Sequence, residues 1–253
     1  MRRIIAFQFK KFFKTYHFYM ILGIFFMVIF LAAIAYAAEQ EFIPVGYTGD
    51  ISIFKKSGVR FMFEINGKWT IFVYSFFSGL FAIDDYANNT VKIMYAKGYT
   101  RTQVFLSRLP VLITATTIYF VINALFSLFW GTYFVGNNIV RKGNYLLMMF
   151  MQYIGILILV LSVFSIADII KNQYAVMISS PLALFVDSIL LEILIRLNIE
   201  KPVINGLITA CWTMQIFTQY DVPAKDVILT LITGIIHAGV LTIISFFINK
   251  KAE

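Results

Sequence analysis

Residues 84–110, DDYANNTVKIMYAKGYTRTQVFLSRLP, form a polar, basic segment between two long apolar runs, and their reading decides how the rest of the chain is laid out. Lys92, Lys97, Arg101 and Arg108 stand against Asp84 and Asp85, so beside a bilayer the segment belongs on the cytoplasmic side by the positive-inside bias. Its local grammar is helix, break, helix. Asn88 or Asn89 can cap a short helix whose Val91, Met94 and Tyr95 share one face, and Gly98 is a natural left-handed stop. Lys97 suits the negative end of that helix. Thr100 then opens the next helix with Gln103 three positions on, the pattern of a capping box, and carries the chain up through Leu106, Leu109 and Pro110.

Outward from that segment the composition is that of a polytopic membrane protein. Of 253 residues 60% are hydrophobic and 13% charged, which leaves no room for a soluble catalytic domain between the apolar runs. The net charge of +8 would suggest a nucleic-acid partner in a soluble chain. Here the basic residues sit at helix ends and in loops, where topology requires them, so nucleic-acid binding is rejected. Cys211 stands alone, which excludes an intrachain disulfide and a cysteine-rich metal site.

The expected fold is all-α, one transmembrane domain over residues 1–253 with six transmembrane helices and both termini cytoplasmic. Residues 1–16 mix Arg2, Arg3, Lys10, Lys11 and Lys14 with Ile4, Phe7, Phe9, Phe12 and Phe13, a composition suited to a helix lying in the cytoplasmic interface. The apolar run 18–38 exceeds the hydrophobic region of a signal peptide and reads as a retained first span. Val59, Phe61, Phe63 and Ile65 alternate with Arg60, Met62 and Glu64, a period of two that suggests a short strand or hairpin, with an interfacial loop nearly as well supported. The second span, 69–83, is short by the usual count unless flanking residues extend it. The segment 84–107 follows, and then a third span, 107–134, in which Pro110 would bend or locally break the helix. The fourth span is 146–170, with Asp168, Lys171 and Asn172 marking a tight turn, and the fifth is 174–197. Residues 198–225 read as an outer half-helix or re-entrant pair, and 226–248 as the sixth span. Trp69, Trp130 and Trp212 then all fall at the outer interface, where amphipathic rings are favoured.

No nucleotide-binding loop of the G-x-x-x-x-G-K-S/T type occurs, so this chain does not harvest ATP through a P-loop. His17 and His237 lack the paired spacing of a zinc protease. Asp187 lies about 20 Å along the fifth span and shares a helical face with Ser180 and Ala183. It reads equally as the wall of a cavity for cationic substrate or as a neutral or paired structural carboxyl. Gly234 and Ala238 make a small-xxx-small spacing that permits close helix approach, for which chance recurrence is the simpler account.

The acidic pair after an aromatic, apolar span, then Tyr86, Asn88-Asn89-Thr90, Lys92, Lys97-Gly98, Thr100-Arg101 and Ser107-Arg108-Leu109, resembles the cytoplasmic segment after the second span of ABC exporter permeases of the type-2 class. Bacteriocin-immunity, antimicrobial-peptide and drug exporters belong to that class. The resemblance implies a coupling helix that docks on a separate cytoplasmic ABC ATPase subunit through Asp84, Asp85, Tyr86, Asn89, Thr90, Lys92, Lys97, Gly98 and Arg101. It further implies a second permease copy or a related permease as partner, and export of an amphipathic peptide or hydrophobic compound across a bacterial cell membrane. ATP and Mg would sit on the partner, with no cofactor in this chain. The bland alternative is a basic loop between two spans; a different class of function is an immunity or sensor module that binds a peptide or lipid without moving it.

Overall fold

The computed structural model describes residues 2–38, 57–68, 70–136, 145–171 and 224–251. Among these the chain forms α1 (Arg2–Lys14), α2 (Tyr16–Ala38), α3 (Gly58–Lys68), α4 (Thr70–Ala87), α5 (Thr90–Ala96), α6 (Arg101–Val135), α7 (Tyr145–Ile170) and α8 (Ala224–Lys251), with no strand. Three helices, α2, α6 and the Met149–Ile170 part of α7, are long and apolar enough to cross a membrane.

Periodicity sets what each helix buries. In α1, Ile4, Gln8 and Phe12 recur every four residues and turn inward, while Arg3, Phe7, Lys10 and Lys14 face out. Thr15 ends the helix, donating its hydroxyl to Lys11 O at 2.7 Å. In α2 the inward row is Phe18, Ile21, Phe25, Ile29 and Ala33, and the outward row, including Met27, Leu31 and Ile34, is equally apolar. A helix greasy on both sides suits a lipid surround.

The middle of the bundle is α6. On one side its Tyr119 meets Phe18, Phe25 and Phe77 at ring-centroid distances of 5.3, 5.6 and 4.9 Å, and Trp130 packs on Phe26 and Phe30. On the other, Phe120 meets Tyr153 of α7, and Phe105 meets Phe164 of α7 and Phe246 of α8. The helix runs unbroken through Pro110, so the expected local break is absent.

One expectation is corrected at α3. Residues 58–68 are helical, not a strand or hairpin: Phe61, Met62, Phe63, Ile65 and Asn66 are all buried, so the alternation of apolar residues reflects a helix covered on most sides. α4 begins two positions after the last residue of α3. Gly58 N donates to Gly136 O, Asn123 Nδ2 donates to Asn66 Oδ1 at 2.7 Å, and Asp85 meets Arg108, so α3 and α4 together follow α6 in the opposite direction. Close approach at the first of these contacts needs small residues, since a Cβ on Gly131 would lie 2.8 Å from Phe61 and 2.9 Å from Gly58 O.

α4 packs on α7, where Ser78 Oγ donates to Val160 O at 2.6 Å, and α7 packs on α8, where Ser165 and Thr242 hydroxyls lie 3.2 Å apart. Gly234 and Ala238 are both buried, two turns and one turn before Thr242 on α8, so the small-xxx-small spacing falls on a packed face. Asp187, Ser180 and the segment 198–223 lie outside the described residues.

Candidate functional site

Asp84, Asp85 and Tyr86 occupy the last turn of α4, where a helix C-terminus offers unpaired carbonyls and a negative end. Cations from two other helices converge there. Lys11 Nζ of α1 bonds Asp85 Oδ1 at 2.7 Å and also contacts Asp84 Oδ2. Gln8 Nε2 donates to Asp85 Oδ2 at 2.9 Å, and His17 Nδ1 lies 3.6 Å from Asp84 Oδ1. Asp85 is 3% exposed. Burial pushes its carboxyl up, but Arg108 and Lys11 beside it more than reverse this and hold it below the usual carboxylate range.

Arg108 of α6 is the centre of the cluster and is 1% exposed. Its Nη1 donates to Asp168 Oδ1 at 2.9 Å, its Nη2 to the carbonyls of Phe81 and Ala82, and its Nε stands 3.3 Å from Asp85 Oδ2. Phe81 and Ala82 lie more than a turn before the end of α4 at Ala87, so the guanidinium adds a side-on donor to carbonyls inside the helix. The aromatic rings of Phe164, Tyr86 and Phe81 lie 5.0, 5.6 and 5.9 Å from its central carbon, a cation–π enclosure. Asp168 of α7 also receives the Tyr86 hydroxyl at 3.1 Å, Ser245 Oγ at 2.9 Å and Asn249 Nδ2 at 2.6 Å, the last two from α8. Burial and then the Asp168 charge push the Tyr86 hydroxyl well above its ordinary range, so it stays a donor.

Each oxygen of Asp85 and of Asp168 is thereby engaged by at least one donor or cation. The cluster joins α1, α4, α6, α7 and α8 at one end of the bundle. A cleft of about 30 Å³ among Gln8, Lys11, His17, Phe77 and Asp84 has room for only a water or two. Among the described residues no group of acids, His and Cys is arranged to hold a metal ion. Chemically the arrangement cross-links five helices through paired charges and hydrogen bonds.

α5 hangs from this cluster. Its Val91 and Met94 are buried, Met94 in a small core with Ile4 of α1 and Val104 of α6, while Lys92, Ile93, Ala96 and Lys97 are exposed. Gly98 has φ +84, the left-handed stop expected of it. The Thr100–Gln103 capping box forms in both directions at 3.2 Å. Asn89 takes the N-cap position with φ 54 but makes no side-chain cap bond, and Asn88 turns back to Asp84 Oδ1, so neither asparagine caps as expected. The Arg101 guanidinium lies 5.7 Å from the Tyr95 ring centroid.

The structure therefore divides the residues expected to act together. Asp84, Asp85 and Tyr86 point into the ion cluster; Asn89, Lys92, Lys97 and Gly98 are exposed on the far side, with Thr90 and Arg101 half-buried between. Asp168 is fully buried in the last turn of α7 and is not part of a surface turn. The roles of Arg108, Asp168, Gln8, Lys11, Ser245 and Asn249 do not follow from the sequence reading, although opposite charges inside two apolar runs are the usual sign of such a pair. Compared with known proteins, the chain matches no family model, no curated protein and no solved structure.

Proposed function

We propose that this chain is the membrane-spanning permease subunit of an ATP-driven exporter of the ABC type-2 class, with α5 docking on a separate ATP-binding subunit. The observation that carries the reading is the division of labour at α5. Lys92, Ile93 and Lys97 face outward, while Met94 seats the helix against Ile4 of α1 and Val104 of α6. Its root at Asp84–Tyr86 is wired by ion pairs and hydrogen bonds to α1, α2, α6 and α7. A push on the exposed face is thus delivered to the bundle as a whole.

In this reading the six spans are α2, the α3–α4 pair, α6, α7, a span within 174–197, and α8. At 1.5 Å per residue, α3 and α4 together amount to about 40 Å of helix, enough to cross a bilayer. The basic end is cytoplasmic, as are both termini. The permease pairs with a second copy or a related chain and moves an amphipathic or hydrophobic compound. Asp187 and Ser180 remain the residues proposed for the wall of its cavity.

Gly98→Val tests coupling directly. A Cβ at Gly98 meets nothing within 4 Å, so the only cost is a β-branched residue forced to positive φ. The turn after α5 should distort, with substrate-stimulated ATP hydrolysis lost and the assembled complex still recovered. Normal stimulation in that variant would count against α5 as the coupling element.

A further inference from the structure

α1 carries two kinds of basic residue. Lys11 turns inward and is consumed by Asp84 and Asp85. Arg2, Arg3, Lys10 and Lys14 are exposed and make no ion pair with the described residues. Arg3, Lys10 and Lys14 fall on one outward stripe with Phe7, which is 46% exposed, and α1 contains no acidic residue at all. The stripe ends one residue before α2, whose first turns expose Tyr16, Tyr19 and Met20 at 68%, 63% and 37%.

We propose that the outward face of α1 is a binding surface for anionic phospholipid headgroups of the leaflet it lies against. Charge complementarity selects the headgroup: unpaired cations along a helix attract a negative membrane surface, each giving roughly a fivefold preference. Continuity selects the membrane over an acidic protein partner. Lys14 adjoins a span through Thr15 alone, and the exposed Tyr16 and Tyr19 are placed as interface-seeking rings. Phe7 among the cations has a ready environment at the boundary of headgroups and acyl chains. The inner face of the same helix, through Gln8 and Lys11, grips Asp85, so headgroup binding fixes the membrane depth of the ion cluster.

This inference needs the membrane but not the ATPase, so it can fail while the permease reading stands. The full chain, with Ala6→Cys bearing a fluorophore in a Cys211→Ala background, is placed in nanodiscs of phosphatidylcholine and phosphatidylglycerol. Either lipid carries shallow acyl-chain bromines, at equal mole fraction. Brominated phosphatidylglycerol should quench at least about fivefold more per mole than brominated phosphatidylcholine. The preference should vanish in about 1 M salt, where the screening length is about 3 Å, and in the combined Arg3→Gln, Lys10→Gln, Lys14→Gln variant. The salt arm uses the parent sequence and holds even if that variant folds poorly. Equal quenching by both lipids at low salt overturns the proposal, and so does no quenching by either.

Discussion

Arg108 and Asp168 are 60 positions apart in the chain and meet at 2.9 Å, each 1% or less exposed, joining α6 to α7 where Asp85, Tyr86, Ser245 and Asn249 also converge. Such a pair gains little over an apolar replacement of the same shape, but losing one partner strands the other as an unpaired buried charge. Arg108→Met should therefore lower stability by about 3–5 kcal/mol, seen as a fall in the thermal midpoint of the detergent-solubilised protein. Arg108→Lys keeps the charge but not the fork that reaches Asp168 and two carbonyls, and should lose less. An unchanged midpoint in Arg108→Met would mean that the cluster does not hold the helices together.

The attachment of α1 should respond to acid in a defined direction. Asp85 has its carboxyl held below the usual range in the folded state, so its contribution is fully present above its unfolded pKa of about 3.9 and is lost as pH falls through the lower folded value. A spin label on α1 should report constant mobility from about pH 7 to pH 5, then loosening only below about pH 4. In Asp85→Asn the label should be looser already at neutral pH. A transition near neutrality that survives Asp85→Asn would place the responsible group elsewhere.

The packing of α3 against α6 can be tested by adding one methyl group. In Gly131→Ala the new carbon would fall 2.8 Å from Phe61 Cδ1 and 2.9 Å from the Gly58 carbonyl oxygen, and backbone cannot swing away as a side chain can. Overpacking of this kind costs about 1–3 kcal/mol, while Gly23→Ala, with nothing within 4 Å, should cost nothing measurable. Equal midpoints for the two variants would contradict the α3–α6 contact.

Local signals are legible in the sequence, and long-range ones are not. The capping box at Thr100 and Gln103 and the left-handed stop at Gly98 depend on residues a few positions apart, so spacing alone reveals them. The inward row of α1 follows from its period. In α3 the helical period is present, with Arg60 and Glu64 paired four positions apart on the partly exposed face and Phe61, Met62 and Ile65 buried, but over so short a stretch the same residues also alternate as a strand would. The Asp84–Arg101 segment reads as one polar surface because nothing local says that Asp85 will find Lys11 and Arg108 from other helices. Asp168 reads as a turn marker for the same reason, since its partners lie 60, 77, 81 and 82 positions away.

The central claim is that the exposed face of α5 is where an ATP-binding partner docks. A photocrosslinking amino acid at Ile93, which is 54% exposed between Lys92 and the turn at Lys97, captures whatever chain lies against this face in native membranes. The account predicts a covalent adduct to a nucleotide-binding polypeptide, diminished in the Lys92→Glu, Lys97→Glu background, and no such adduct from a probe at Leu125, 61% exposed in the middle of α6. Adducts from Ile93 to lipid alone, or to no nucleotide-binding chain while the protein is folded and in the membrane, would contradict it.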